Sequence, residues 1–276
     1  MIKIFITVRN RLAITKKCIE SLILHSELPH SIYVYDNASN YRLEEHFMFF
    51  HELYNRKLIS QVTFTSEAST FNAFSKASTC NFFGLQHEQD PKKDSYDFLL
   101  MLDNDIIMTP GWDVTLKKAW DYVAKKKLRH VKVIGQLPGG IKSKKESHKI
   151  NSDLIGRVGT LGGSGLWSVR PNFFTDVGYL NLRQLVGHDK KHDQQYWRLL
   201  TRASAGKPYI MGVNKKLGVH CGKQAGSVCN KLTRNRGKKN KEELIKFEKA
   251  EERIDSMDFK TFYKNIVNDQ LLIKDW

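Results

Sequence analysis

The sequence contains no apolar run approaching the ~18 residues that a membrane-crossing helix requires, and its mean hydropathy is −0.46. A membrane span is therefore excluded. The opening MIKIFITVRNRL has no apolar stretch leading to a small-residue cleavage site, so no secretory signal is expected. Cysteine is scarce. Cys18, Cys80, Cys221 and Cys229 show no close pairing, and the eight-residue step between the last two fits no common zinc pattern. Four free thiols in a reducing compartment follow, and with them a cytoplasmic location. Two phosphate-binding loops are also missing. No GxGxxG follows the first apolar run and no GxxxxGK[ST] occurs anywhere, which argues against a Rossmann dinucleotide site and a P-loop.

Acid is under-represented. Asp and Glu total 29 against 45 Lys and Arg, a net charge of +16 over 276 residues. With 41% hydrophobic and 27% charged residues the chain is globular, and its length suits one domain or one domain with an appendage. The charge says nothing of the fold, but it points to a polyanionic or membrane-surface partner.

Apolar, β-rich runs alternate with helical spacing through the first half. Strands are expected at 2–8, 31–35, 60–65 and 97–102, and helices at 12–25, 42–56 and 70–84. Such alternation with short connections predicts a parallel α/β sheet. Beyond 110 the pattern is less regular. It predicts a strand at 131–135, a glycine-rich loop into a strand at 159–168, a short helix at 171–178, a helix at 190–203 and a strand-like GVH ending at 220. KLTRNRGKKNK, starting at 231, has six basic residues and no acid, and helices are expected at 240–255 and 258–273.

Parallel α/β sheets bind ligands beyond the carboxyl ends of their strands. That singles out 7–11, 36–39 and 103–105. The strongest of these is Asp103-Asn104-Asp105, which ends a very apolar strand. Residues i and i+2 of a strand point the same way, so two carboxylates so placed repel unless a cation or donors lie between them. Oxygen-ligated Mg2+ or Mn2+ suits the pair, with phosphate oxygens completing the shell. The competing reading is an Asp-rich turn that merely closes a strand.

VRNR after the first strand, YDNAS after the second, LMLDND, then GGSGLWSV, HDQQYWRLL and LGVHCG together resemble the GT-A glycosyltransferases, particularly their large family-2 group, over residues 2–222. The resemblance implies a mostly parallel, Rossmann-like central sheet flanked by helices, with a basic helical C-terminal appendage. The implied division is a domain at 1–225, its nucleotide-sugar half at 1–110 and acceptor half at 111–225, followed by an extension at 226–276. It also implies a nucleotide-sugar donor (a UDP-sugar first), a divalent cation (Mn2+ or Mg2+), and transfer of one sugar to an acceptor hydroxyl, with inversion.

Carried over residue by residue, the family pattern assigns the nucleobase contact to Asp36 and the nucleotide-approaching loop to Thr7, Arg9 and Arg11. Asp103 resembles the residue that contacts ribose or sugar, partly through metal, Asp105 the direct metal ligand, and His220 the late histidine of the metal shell. Gly162, Gly163, Ser164 and Gly165 resemble the loop lining the donor sugar, where glycine permits close approach. A base is needed to take the acceptor's proton. Where the family has an E-D pair, this chain has His192-Asp193, with His188-Asp189 four residues earlier. Asp193 is the first choice and Asp189 the second, and helix capping is the other reading of both. Trp167 is an acceptor-side candidate, although core is the expected reading of it and of Trp112, Phe173, Phe174 and Trp197.

Basic runs at 125–132, 142–149 and 231–241 all fall in the second half. Lys231, Arg234, Arg236, Lys238 and Lys239 are candidates for holding a polyanion. The leading acceptor is DNA bearing hydroxymethylated bases, as some bacteriophage genomes carry, which would place the chain in a host cytoplasm. A cell-surface or lipid-linked glycan is the second acceptor class. A basic nucleic-acid-binding protein without catalysis, and a nucleotidyltransferase, are the alternatives outside this activity. Oligomeric state is not legible.

Overall fold

The structure is a computed structural model that describes residues 1–37, 39–65, 72–136, 146–159, 165–180, 198–221 and 240–267. Strand β1 (Ile2–Val8) is buried along its length except at Thr7. Its even residues, Ile2, Ile4, Ile6 and Val8, enter one hydrophobic cluster, while Phe5 enters a second on the other side. A strand with two apolar faces must lie inside a sheet covered on both sides. Lys3 is the exception in composition but not in burial. Its ammonium bonds Asp90 at 2.5 Å and lies over Tyr33 and Tyr96, so the charge is compensated at the far end of the sheet.

Strands β2 (His30–Asp36) and β4 (Phe98–Asp103) flank β1 in parallel, and β3 (Gln61–Phe64) pairs with β2. The remaining strands are β5 (Ile106–Met108), β6 (Val133–Gln136), β7 (Glu146–Lys149), β8 (Ile155–Gly159), β9 (Leu166–Val169), β10 (Ile210–Val213) and β11 (Gly218–His220). The sheet runs β3-β2-β1-β4-β9-β6-β10-β8-β7, and β5 with β11 forms a separate ribbon. Only β9 and β8 oppose the direction of the others in the large sheet, so it is mostly parallel, as expected from sequence.

Helices α1 (Leu12–His25), α2 (Leu43–Asn55) and α3 (Asn72–Glu88) follow β1, β2 and β3. They fall close to the expected ranges. Helix α4 (Trp112–Lys125), β5 and the β7–β8 hairpin lie outside the elements expected from sequence. Helix α4 does carry the spacing: Trp112, Leu116, Ala119, Trp120 and Val123 are its buried stripe. The short helix α5 (Phe173–Val177) and the helical residues 198–203 match expectation.

Helices α6 (Asn240–Asp255) and α7 (Phe259–Val267) end the described chain. They pack against α1 rather than standing apart. Ile254, Phe262 and Ile266 belong to the same hydrophobic cluster as β1 and α1. His25 of α1 makes edge contacts with Phe259 and Tyr263. Trp112, Trp167, Phe173 and Phe174 are buried in the two clusters, so each is core. Among the described residues no helix is long and apolar enough to cross a membrane.

Candidate functional site

Pairing register brings the candidate residues together. Thr7 of β1 lies opposite Asp103 of β4, and Val8 lies opposite Asp36 of β2. Three loops therefore leave the sheet side by side: 9–11, 103–105, and one that includes residues 37 and 39–41. Two asparagines inside those stretches, given no role by the sequence, stitch them. The Asn10 amide donates to Ser39 Oγ at 2.7 Å, and its side-chain Oδ1 accepts from the amides of Asn40 and Tyr41. Asn104 donates through Nδ2 to Thr15 Oγ1 at 2.8 Å, linking the Asp-rich turn to helix α1. Asn10 and Arg11 both hold left-handed backbone, with φ of 53° and 57°. For Arg that conformation costs roughly 1–2 kcal/mol, and the surrounding contacts fix it.

Asp36 is only 1% exposed. Its Oδ1 accepts from the Ser39 amide at 2.8 Å, and Oδ2 lies 3.1 Å from Nδ1 of the buried His46. The carboxylate is turned inward, so as it stands it orders the 36–40 turn rather than facing a ligand. Thr7, in β1, and Arg9, just beyond it, are half-buried.

Strand β4 stops at Asp103, and Asn104 and Asp105 form a turn into β5. The alternation expected of a continuing strand is thus broken between the two carboxylates. Asp103 is half-buried and Asp105 buried. Arg11 Nη1 donates to Asp105 Oδ2 at 2.7 Å. The other oxygen, Oδ1, is buried without a hydrogen-bond partner. Antiparallel pairing of β11 with β5 sets His220 opposite Ile106, leaving His220 Nε2 3.6 Å from that orphaned oxygen. The gap is too long for a hydrogen bond.

Gly165 closes the remaining side. Its carbonyl accepts from the Asp103 amide at 2.9 Å. A Cβ there would lie 2.9 Å from Ile106 Cδ1, 3.3 Å from Asp103 Oδ2 and 3.6 Å from His220 Cδ2. This contact places Asp103, His220 and Gly165 around one point. Cys18 and Cys221 lie beneath the turn as buried thiols. Burial, and then the nearby Asp105, push both thiols well above the ordinary range, so neither is a thiolate donor at neutral pH.

The residues fit a hard divalent cation in part. No three His, Cys, Asp or Glu side chains form a ready cage among the described residues. The orphaned Asp105 oxygen and the exposed His220 nitrogen do supply two donors. Cations of this class commonly take one or two carboxylates and leave the rest of the shell to phosphate and water. Asp189, Asp193, His188, His192, Gly163 and the basic candidates Lys231, Arg234, Arg236, Lys238 and Lys239 lie outside the described residues.

No protein-family model matches the sequence, and no curated protein sequence matches it. Solved structures do. A mannosyltransferase from Pyrobaculum calidifontis, PcManGT, solved with GDP-Man and Mn2+, superposes with a TM-score of 0.54 at 13% identity, over 84% of this chain and 60% of its own. GalNAc-T7, solved with UDP, GalNAc and Mn2+, gives 0.54 at 13% identity, over 78% and 43%. TarS of S. aureus gives 0.51 at 12%, over 89% and 42%. This chain spans 59% of the TarS fragment 1–349, less than two thirds. These proteins are GT-A glycosyltransferases, and the likeness establishes the GT-A fold for this chain.

Proposed function

We propose that the chain is a glycosyltransferase that moves a sugar from a nucleoside-diphosphate donor to an acceptor hydroxyl with the help of a divalent cation. The observation that carries this is the convergence of Arg11, Asp105, His220 and Gly165 at the carboxyl ends of β1 and β4, with one buried Asp105 oxygen left without a hydrogen bond. Structures of the same fold hold UDP or GDP-Man together with Mn2+ at 13% identity, which supports the choice of ligand class.

The loops divide the work. The turn held by Asp36, Ser39 and Asn10 frames the base end, with a UDP-sugar as the first choice of donor. Asp105 and His220 would hold the cation, and Asp103 the ribose or sugar beside it. Bound there, such a cation supplies Lewis-acid stabilisation of the departing diphosphate. Arg9 and Arg11 add positive charge on the same side. Gly165 lies beside Asp103 and His220, and the glycine-rich sequence before it would let the donor sugar approach the backbone. Asp193, or Asp189 in its place, takes the acceptor's proton, giving an inverting displacement at the anomeric carbon.

The acceptor side carries the excess charge. Lys125, Lys126 and Lys127 are exposed at the C-terminal end of α4, where cations also offset the helix dipole. Hydroxymethylated DNA of a phage is the leading acceptor, and a membrane-associated glycan the alternative. DNA affinity that falls steeply with salt supports the first. No binding to duplex or single strands at low salt removes it.

The activity itself is tested by incubating the protein and Mn2+ with a panel of nucleotide sugars and following donor hydrolysis. Slow release of UDP from one donor, lost in D105A, is the expected result. No turnover of any donor, with or without candidate acceptors, contradicts the proposal. D193N is expected to cut turnover with donor binding preserved. An unchanged rate transfers the role to Asp189.

A further inference from the structure

Helix α1 lacks a local cap. Its N-cap residue, Arg11, makes no side-chain capping hydrogen bond, and its guanidinium has no acceptor to offer. The orphan amide of Ala13 is served instead from the other end of the chain, by Glu251 Oε2 at 2.9 Å. Glu251 is fully buried, and its second oxygen has no hydrogen-bond partner.

The sequence around it explains the burial. Phe247, Glu251 and Ile254 share one face of α6, and all three are buried. A carboxylate has been set in the middle of an apolar stripe. An apolar residue there would continue the stripe without any desolvation penalty. What the carboxylate does in exchange lies across the interface. It ends the first turn of α1 and places negative charge behind Arg11, with Arg42 and His46 acting on it from the α2 side. Asp255 on the same helix anchors the interface through Lys16 at 2.8 Å and Arg42 at 3.4 Å, and Lys17 donates to the Met257 carbonyl. Arg11 in turn reaches Asp105.

We infer that Glu251 is a positioning residue for the donor site: it fixes the left-handed turn at 10–11 and so aims Arg11 at Asp105. The C-terminal helices are then part of the nucleotide half of the molecule. This rests on the reading of the Arg11–Asp105 centre as the donor-diphosphate site.

The test compares wild type with E251L, E251Q and D255A. Leucine fills the stripe without an acceptor, glutamine keeps an acceptor without the charge, and D255A loosens the helix without touching the cap. Amide hydrogen exchange over residues 12–15 reads the cap, and calorimetry with UDP and Mn2+ reads the site. In E251L, exchange protection is expected to drop about tenfold, the size of a lost cap, and UDP affinity to fall several-fold. E251Q retains both within about twofold, and D255A lowers thermal stability without changing UDP affinity. Unchanged protection in E251L overturns the inference, as does lost protection with unchanged UDP affinity, which leaves a structural role only. If wild type binds no UDP, the donor-site reading fails separately, and the exchange arm still decides whether Glu251 fixes the turn.

Discussion

Arg11 and Asp105, 94 residues apart in sequence, meet in a 2.7 Å bond from Nη1 to Oδ2. The guanidinium neutralises one edge of a carboxylate that is otherwise nearly sealed from water. The other edge faces His220. In the proposed site Asp105 would hold an arginine on one oxygen and a cation on the other.

R11M separates the two. Removing one partner of a buried pair leaves an uncompensated charge, expected to lower stability by roughly 3 kcal/mol in chelator. Mn2+ is then expected to supply the missing positive charge. Thermal unfolding is expected to show a larger Mn2+ shift in R11M than in wild type. Equal shifts would mean that arginine and cation do not share Asp105.

Gly165 leaves room between Asp103 and His220 that a Cβ would enter. In G165A the new methyl collides with Ile106 Cδ1 at 2.9 Å and crowds Asp103 Oδ2 at 3.3 Å. I106V removes the first contact and leaves the second. The double variant is expected to regain the stability that G165A loses, by about 1–3 kcal/mol, while turnover stays at least tenfold down. Recovery of both together would make Gly165 a packing residue and nothing more.

The first half of the fold was legible because its signals are local. A short, β-rich apolar run such as 2–8 reads as a buried strand, and Leu12, Cys18, Ile19 and Leu22 mark one face of α1. The Asp-rich turn was legible as a candidate cation site for the same reason. Its geometry was not: whether β4 continues past Asp103 depends on β11 arriving from residue 218 to pair with β5. Helix α4 had the right spacing, yet the lysines at 117–118 and 125–127 make that stretch read as charge. His46 and Glu251 were missed together. Each interrupts an apolar stripe, His46 with Phe50 and Leu53, Glu251 with Phe247 and Ile254. A titratable residue at a stripe position is the signal that finds them, but its partner on a distant element is not written locally.

Glu251 carries a pH signature. Burial pushes its carboxyl from 4.5 up to about 6, against the pull of the Ala13 amide and of Arg42, His46 and Arg11. The folded state therefore holds this proton more tightly than the unfolded chain does. The associated stability is complete below pH 4.5 and is lost as pH rises through about 6, a fall of roughly 2 kcal/mol. Denaturant titrations from pH 4 to 8 are expected to show E251Q gaining on wild type across that window. Parallel curves would show that Glu251 does not titrate there.

The most direct measurement is calorimetry of UDP binding to wild type and D105A, each in Mn2+ and in chelator. Wild type is expected to bind UDP in Mn2+ and at least tenfold more weakly in chelator, with D105A weak in both. No UDP binding by wild type in Mn2+, or equal affinity in all four conditions, would contradict a donor site built on Asp105.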